Sequence, residues 1–298
     1  MMATQKKTIV VFGATTGGKG NSVANALLLD GTFSVLAVGH NLSKPPGQAL
    51  IRRGATVVGG DLNNLATLEK IMEGAYGAFV VTSFSDDFSQ EQENSQAKNA
   101  AEVAKRLGLK HVIFGGLDHV MLSTRQRNVP LYDVKREAET HFWELGVPLT
   151  SVQVPCYYEN FVTFCRPRRE PGEDAYTITM PMGDLPIHAM GVYDLGPAVV
   201  NIFKAPEVYI GKSITLFRDA LKEQEFAEIL SQCLGKNIRD SQISLENYEQ
   251  QTSKSFADMF RYLQTMSNYD EDVIHQLNPK ARSFQQWVEE IKWTMEDL

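Results

Sequence analysis

The residues best suited to chemistry in this 298-residue chain are the glycines of Gly13-Ala14-Thr15-Thr16-Gly17-Gly18-Lys19-Gly20. They follow the β-branched run Thr8 to Phe12 and precede an amphipathic stretch, so they read as a strand, a phosphate-binding turn and a helix start. Gly13, Gly17, Gly18 and Gly20 let backbone approach a pyrophosphate without Cβ clashes, with Thr15 and Thr16 in the same turn. A helix starting near Gly20 or Asn21 aims unpaired N–H groups and the positive end of its dipole at the same anion. About 20 positions on, where an acid would hold the ribose 2′-hydroxyl of NAD, the segment AVGHNLSK offers His40 and Lys44 and no acid, which leans toward NADP. Asp61 and Leu62 follow a third strand and would flank the adenine edge, although a carboxylate there also suits a helix cap.

These groups need a scaffold, and the pattern around them supplies one. Apolar runs at 33–38, 55–58, 78–81, 111–114 and 149–154 alternate with helical stretches at 22–29, 48–53, 64–72, 89–107 and 131–145. Such alternation predicts an α/β fold, a Rossmann-type doubly wound parallel sheet with right-handed crossovers. Ligands of such sheets sit beyond the carboxyl ends of the strands, so Gly13, His40, Asp61, Thr82 and Gly115 are expected to open onto one crevice. From Pro155 the prolines at 155, 167, 171, 181 and 186 break the alternation. The expected division is a dinucleotide-binding domain over 1–155 and a smaller, mostly helical C-terminal domain over 156–298, with helices at 223–234, 245–265 and 284–296. A helix over 192–204 is expected to pack back on the first domain.

A formal charge of −7 and a pI near 5.5 argue against nucleic acid or an anionic membrane as a partner, since both require a basic face. Cys156, Cys165 and Cys233 have neither metal-ligand spacing nor the number for a disulfide framework, and read as buried thiols of a reducing compartment. No metal site is expected. MMATQKK lacks the pattern of a secretory leader, and no apolar run approaches the roughly 20 residues that span a bilayer. The cytoplasm is the default address, with nuclear entry open.

The segments VVFGAT, LLLDGTFSV, GGDLNN, SQEQE, AEVAKRLGLKHV, PCYYENF, MGDLPIHAMGVYDLGP and LNPKARSFQQW, in that order, resemble the NmrA-like family of atypical short-chain dehydrogenase relatives. The resemblance covers almost the whole chain. It implies a Rossmann domain with a smaller C-terminal domain, NADP(H) as cofactor, and a redox-sensing regulator that works through protein partners. Two positions depart from the family pattern. The glycine turn carries one extra residue, and the arginine usual after the second strand is His40, whereas Lys44 matches the family's basic position.

Reduction of a carbonyl requires a proton donor beside its oxygen, which short-chain dehydrogenases take from a tyrosine four residues before a lysine. Here Leu131 stands four before Lys135 and Tyr132 three before, while Gly115-Gly116 occupies the place of the assisting serine. Lys135 therefore suits cofactor binding without chemistry, with Tyr132 and Lys135 the candidates if there is a reaction. Tyr157, Glu159 and Asn160 either approach the nicotinamide or hinge the two domains. Three readings stay open: an NADP(H) sensor without dehydrogenase activity, an NADPH-dependent reductase, and a protein-interaction scaffold with a decayed nucleotide site. The identity of any regulatory protein partner is not encoded legibly, and homodimer formation is equally open.

Overall fold

The computed structural model describes residues 6–82, 90–116, 130–266 and 269–296, with the backbone alone at Gln90 and over 130–135. The first half runs β1 (Thr8–Val11), α1 (Lys19–Asp30), β2 (Ser34–Gly39), α2 (Pro45–Arg52), β3 (Thr56–Gly59), α3 (Leu65–Met72), β4 (Gly77–Val80), α4 (Gln90–Arg106), β5 (His111–Gly116), α5 (Pro130–Glu144) and β6 (Leu149–Gln153). The second half runs β7 (Cys156–Tyr157), β8 (Arg168–Arg169), β9 (Tyr176–Ile178), β10 (Ile187–Met190), α6 (Val192–Lys204), α7 (Pro206–Tyr209), β11 (Ser213–Thr215), β12 (Asp219–Leu221), α8 (Glu223–Leu234), β13 (Ile238–Asp240), α9 (Leu245–Gln251), α10 (Lys254–Leu263), α11 (Asp272–Leu277) and α12 (Phe284–Ile291).

Seven strands form the central sheet in the order β11-β6-β5-β4-β1-β2-β3. The five pairings from β3 across to β6 are all parallel. The chain thus has the expected doubly wound Rossmann-type sheet, whose order reverses between β1 and β4. Its strands are short; β1, β4 and β5 are mostly apolar and buried over nearly their whole length, as burial on both faces demands, whereas β6 buries Thr150, Ser151 and Gln153. Helix ends follow local chemistry. Gly31 closes α1 in the left-handed conformation and donates its N–H to the Leu27 carbonyl, and the Asn64 side chain caps α3 by accepting from the Thr67 N–H at 3.0 Å.

The chain divides into two compact units, one built from residues within 1–119, 132–153 and 193–214, the other from those within 120–131, 154–192 and 215–298. In the first unit α6 crosses α1 closely. A Cβ on Gly196 would lie 2.4 Å from the Ser22 carbonyl oxygen, and the Ser22 hydroxyl accepts the Gly196 N–H at 3.0 Å while donating to the Tyr193 carbonyl at 3.1 Å. One apolar core of this unit runs through Val10, Val38, Leu68, Val80, Ala101, Val112 and Phe142.

The second unit is helical, as expected, and also carries two three-stranded sheets, β12-β10-β7 and β13-β9-β8. Its core is aromatic. Tyr158, Phe161, Phe226, Phe284 and Trp287 meet at ring separations of 4.7 to 5.8 Å, and Asp219 ties them together by accepting from the Tyr158 hydroxyl at 2.5 Å and the Phe284 N–H at 2.6 Å. The single helix expected over 245–265 is two, because Ser253 adopts extended backbone and its hydroxyl caps a new helix at the Phe256 N–H. The expected helix over 284–296 keeps its α-helical form only to Ile291, then tightens to a 3-10 turn over Lys292–Met295. Among the described residues no helix is long and apolar enough to cross a membrane.

Candidate functional site

The glycine turn leaves β1 at its carboxyl end. Gly13 takes a φ of +68°, which L residues rarely adopt, and a Cβ there would stand 2.9 Å from Val81 Cγ1. Gly20, two residues into α1, lies so close to the strand that a Cβ would be 2.2 Å from the Phe12 carbonyl oxygen. Between these anchors Thr15 is buried against Gly39, whose hydrogen leaves the space a methyl would contest with Thr15 Oγ1 at 1.8 Å. Thr16 donates its hydroxyl to the Gly13 carbonyl at 3.0 Å, and Asn21 Nδ2 donates to the Ala14 carbonyl at 2.8 Å. Gly17 and Gly18 stand apart from this packing, with nothing among the described residues within 4 Å of where a Cβ would sit. Gly18 is the N-cap of α1 and offers no side-chain acceptor to the first-turn N–H groups. Thr16 and Gly17 form the exposed side of the turn, while Gly13 and Gly20 are closely packed.

On the β2 and β3 side of the turn, His40 directly follows β2, and Lys44 is the N-cap of α2; both are exposed. Between them Asn41 Oδ1 accepts from the Ser43 N–H at 3.0 Å and the Ser43 hydroxyl at 2.7 Å, fixing the loop. Asp61 follows β3, and its carboxylate accepts from the Asn63 N–H at 2.9 Å and from Asn63 Nδ2 at 2.8 Å. The helix cap in this loop is Asn64, so Asp61 shapes the turn before it. Leu62 is buried in the core of the unit, and its carbonyl accepts from Asn99 Nδ2 at 3.0 Å.

On the β4 and β5 side, Thr82 is buried and donates its hydroxyl to the buried carboxylate of Glu93. Gly115 and Gly116 are the last two residues of β5, which runs two residues further than the apolar pattern suggests. Over them lies Lys19, the first residue of α1. Its Cδ is 3.7 Å from where a Gly115 Cβ would be, and its ammonium donates to the Gly116 carbonyl at 3.4 Å. Lys19 was not among the residues marked by the sequence; a cation inside a glycine turn was the available signal. Glu139 was also missed. Fully buried on α5, it accepts from the Ser151 hydroxyl at 2.7 Å and Trp143 Nε1 at 2.8 Å, joining α5 to β6. Tyr132 and Lys135 lie on α5, and their side chains fall outside the described residues.

Tyr157, Glu159 and Asn160 belong to the second unit. Burial, followed by the neighbouring Glu159 and Cys156, pushes the Tyr157 phenol well above its ordinary pKa, so at neutral pH it is a proton donor and not a base. Burial raises the Glu159 carboxyl too, against two hydrogen bonds it accepts from the Val192 N–H at 3.0 and 3.1 Å. Asn160 Nδ2 donates to Cys156 Sγ at 3.2 Å. Cys156 and Cys165 are buried as expected, whereas Cys233 is only half-buried because it lies on the partly covered flank of α8. Burial lifts the Cys156 thiol to about 11, which leaves it protonated and unreactive. Among the described residues no cluster of His, Cys, Asp or Glu is placed to hold a metal ion.

The sequence pattern of the NmrA-like family matches residues 5–295. The chain belongs to that family. Within it, an NmrA-like family domain-containing protein of Dictyostelium discoideum is 25% identical, covering 97% of this chain and 99% of its own length. An NmrA-like family domain-containing oxidoreductase, FrzB of a Cladobotryum species, is 29% identical over 78% of this chain and 74% of its own. Among solved structures, NmrA, a negative transcriptional regulator in complex with NADP, superposes with a TM-score of 0.81 at 23% identity, covering 98% of this chain and 97% of that one. Proteins similar to this chain thus include one named as a regulator and one named as an oxidoreductase.

Proposed function

We propose that the chain binds NADP(H) at the glycine turn and acts as a redox-sensing regulator, its cofactor-bound and cofactor-free states offering different surfaces to protein partners. The observation that carries this reading is the division of labour among the glycines. Gly13 and Gly20 are consumed by the turn's conformation and packing, whereas Gly17 and Gly18 have no described residue within 4 Å of a Cβ position, at the N-terminus of a helix that lacks a side-chain cap. That is a cradle for a pyrophosphate. His40 and Lys44, exposed beyond β2 with no acid between them, suit a 2′-phosphate better than a 2′-hydroxyl. Lys135 would add a cation from α5. NmrA is named with NADP in its solved structure, which supports the same cofactor here.

A reduced nicotinamide would supply a hydride when bound. The β5 end that would hold an assisting serine is Gly115-Gly116. A regulator needs only a ligand that favours one conformational state over another. Titration calorimetry with NADPH, NADP⁺ and NADH, joined to limited proteolysis with and without ligand, tests the proposal. We expect NADPH to bind more tightly than NADH, Lys44→Gln to narrow that preference about tenfold through loss of one charge-assisted contact, and the cleavage pattern to change on binding. No heat with any nucleotide at millimolar concentration would refute it. The scaffold with a decayed site fails if NADPH binds.

The reductase reading keeps one supporting fact, the placement of Tyr132 and Lys135 three residues apart on α5, where they share neighbouring helical faces. It predicts NADPH oxidation with a carbonyl or quinone acceptor that is lost in Tyr132→Phe and in Lys135→Ala. Turnover surviving both changes would exclude that pair.

A further inference from the structure

We infer that the groove between α8 and β13 in the second unit takes an extended, basic peptide segment of a protein partner, which pairs with the open edge of β13. This adds a docking surface to the regulator reading above, on which it rests only in taking the partner to be a protein. β13 is an edge strand of the sheet β13-β9-β8. It runs parallel to β9, with Ile238 opposite Tyr176 and Asp240 opposite Ile178, and the Tyr176 N–H donates to the Asn237 carbonyl at 2.8 Å. In such a ladder the bonding groups of successive residues alternate in direction, so Arg239 faces β9 while the N–H and C=O of Ile238 and Asp240 point away from it.

The two outward-facing residues differ. At Ile238 the edge is closed by α8, since the Ser231 hydroxyl accepts the Ile238 N–H at 3.0 Å and donates to the Ile238 carbonyl at 2.8 Å. One turn earlier α8 presents Ala227, a single methyl, and beside Asp240 a groove of about 440 Å³ opens. Neither the Asp240 N–H nor its carbonyl meets a partner among the described residues. An open N–H and C=O on a sheet edge are a template for another extended chain. The end of this edge is fixed in place. Glu223 accepts from the Ser241 hydroxyl at 3.4 Å, that hydroxyl accepts the Ile243 N–H at 3.3 Å, and Gln242 between them is held at a φ of +47°.

The chemistry of the walls selects the segment. Ala227 and Ile238 line the groove with apolar surface, and Glu228 and Asp240 line it with carboxylates. Arg239, the cation of the lining, is already engaged by Glu173 at 3.3 Å. The groove is therefore open to positive charge and not to negative. A strand of alternating aliphatic and cationic residues fits both features, because successive side chains point to opposite faces: one aliphatic side chain covers Ala227 and Ile238, and its neighbours bring ammonium or guanidinium groups toward the two acids.

The test uses the full chain and a fluorescein-labelled, end-capped peptide of sequence KVKVKVK, followed by fluorescence anisotropy. The expected dissociation constant is about 0.1 mM, with the acidic peptide EVEVEVE about tenfold weaker or worse. Glu228→Lys is expected to weaken KVKVKVK about fivefold through reversal of one rim charge. Asp240→Pro removes the outward N–H but spares the Arg239 and Ser241 N–H groups that face β9, and is expected to weaken the peptide about tenfold. A second readout needs no variant: in the wild type the Asp240 amide is expected to exchange about tenfold more slowly with the peptide bound, as read by NMR. Exchange that stays unchanged at saturation, or full affinity in a folded Asp240→Pro, overturns the inference and leaves attraction by charge alone, as does spermidine binding with equal strength. Absence of any binding by KVKVKVK overturns it too. Calorimetry with NADPH on the same preparation separates that failure from failure of the nucleotide reading, since neither result depends on the other.

Discussion

Gly20→Ala is expected to destabilise the chain by about 2–3 kcal/mol and lower its Tm by about 5–10 °C, while Gly17→Ala and Gly18→Ala leave both unchanged within about 0.5 kcal/mol. All three add one methyl to one turn. At Gly20 the methyl would stand 2.2 Å from the Phe12 carbonyl oxygen and 2.6 Å from the Gly13 carbonyl carbon, both backbone atoms of the strand that feeds the turn. Neither can rotate away, so α1 must move off the sheet. Alanine gains about 1 kcal/mol over glycine inside a helix, which offsets only part of that cost. At Gly17 and Gly18 nothing among the described residues lies within 4 Å of a Cβ position, and φ is not in the left-handed region at either. The methyl there enters only the space assigned to the pyrophosphate. NADPH affinity is therefore expected to fall about tenfold in Gly17→Ala and Gly18→Ala with the fold intact. Thermal melts and calorimetry on the three variants separate architecture from ligand binding. Wild-type affinity in both Gly17→Ala and Gly18→Ala would show that the cradle does not receive a dinucleotide.

That separation marks what the residues disclosed before any coordinates. The parallel sheet was legible because each strand of the first half is an apolar run of adequate length, followed by a helical stretch and a turn residue. The strands Ser213–Thr215, Asp219–Leu221 and Ile238–Asp240 were not, since three residues are too few to display a period of two. The break at Ser253 was in principle visible, as Ser253 with Phe256 after it forms a serine N-cap, but the apolar spacing on either side runs in register and hides it. The candidate site divides similarly. Glycines announce a close approach without saying to what, so Gly13 and Gly20, which serve the fold, looked the same as Gly17 and Gly18, which face open space. Leu62 was marked for its place after a strand and proves to be core. Lys19 escaped notice because its meaning lies in what its ammonium reaches, Gly116, a residue 97 positions away.

The largest electrostatic effects are expected from two buried groups with opposite signs, one in each unit. His111 on β5 is fully buried; its Nε2 bonds the Thr150 hydroxyl at 2.8 Å, and that hydroxyl donates onward to the Tyr209 carbonyl at 2.8 Å. Thr150 thus accepts from the ring, which fixes the neutral tautomer protonated at Nε2. Nδ1 has no hydrogen-bond partner among the described residues, and the Phe203 ring packs edge-on at 5.3 Å. Burial lowers the His111 pKa to about 4 from an ordinary value of 6.5. Above pH 6.5 the ring is neutral in folded and unfolded chains alike and the first unit keeps its full stability. As the pH falls from 6.5 to 4 only the unfolded chain takes up the proton, and about 3 kcal/mol is lost.

Glu223, at the start of α8 in the second unit, runs the other way. It is buried and accepts from the Met180 N–H at 2.8 Å and the Ser241 hydroxyl at 3.4 Å, yet burial outweighs these bonds and raises its carboxyl from 4.5 to about 7. Below pH 4.5 it is protonated in both states and costs nothing. From pH 4.5 to 7 the unfolded chain ionises first, and the second unit loses about 3 kcal/mol. Between pH 4.5 and 6.5 the two effects oppose each other, so the whole-chain melting temperature conceals them. Hydrogen exchange read unit by unit does not. Protection in β5 and β6 is expected to weaken with acid, and protection in α8 and β13 to weaken as the pH rises toward 7. Each slope is expected to flatten when its own residue is replaced by a neutral amide, His111→Gln for the first and Glu223→Gln for the second, since either amide can keep the principal hydrogen bond without titrating. A slope that persists in its variant would assign that pH dependence to another group. At neutral pH the first unit therefore keeps its full stability while the second carries the cost of Glu223, and acid reverses the two.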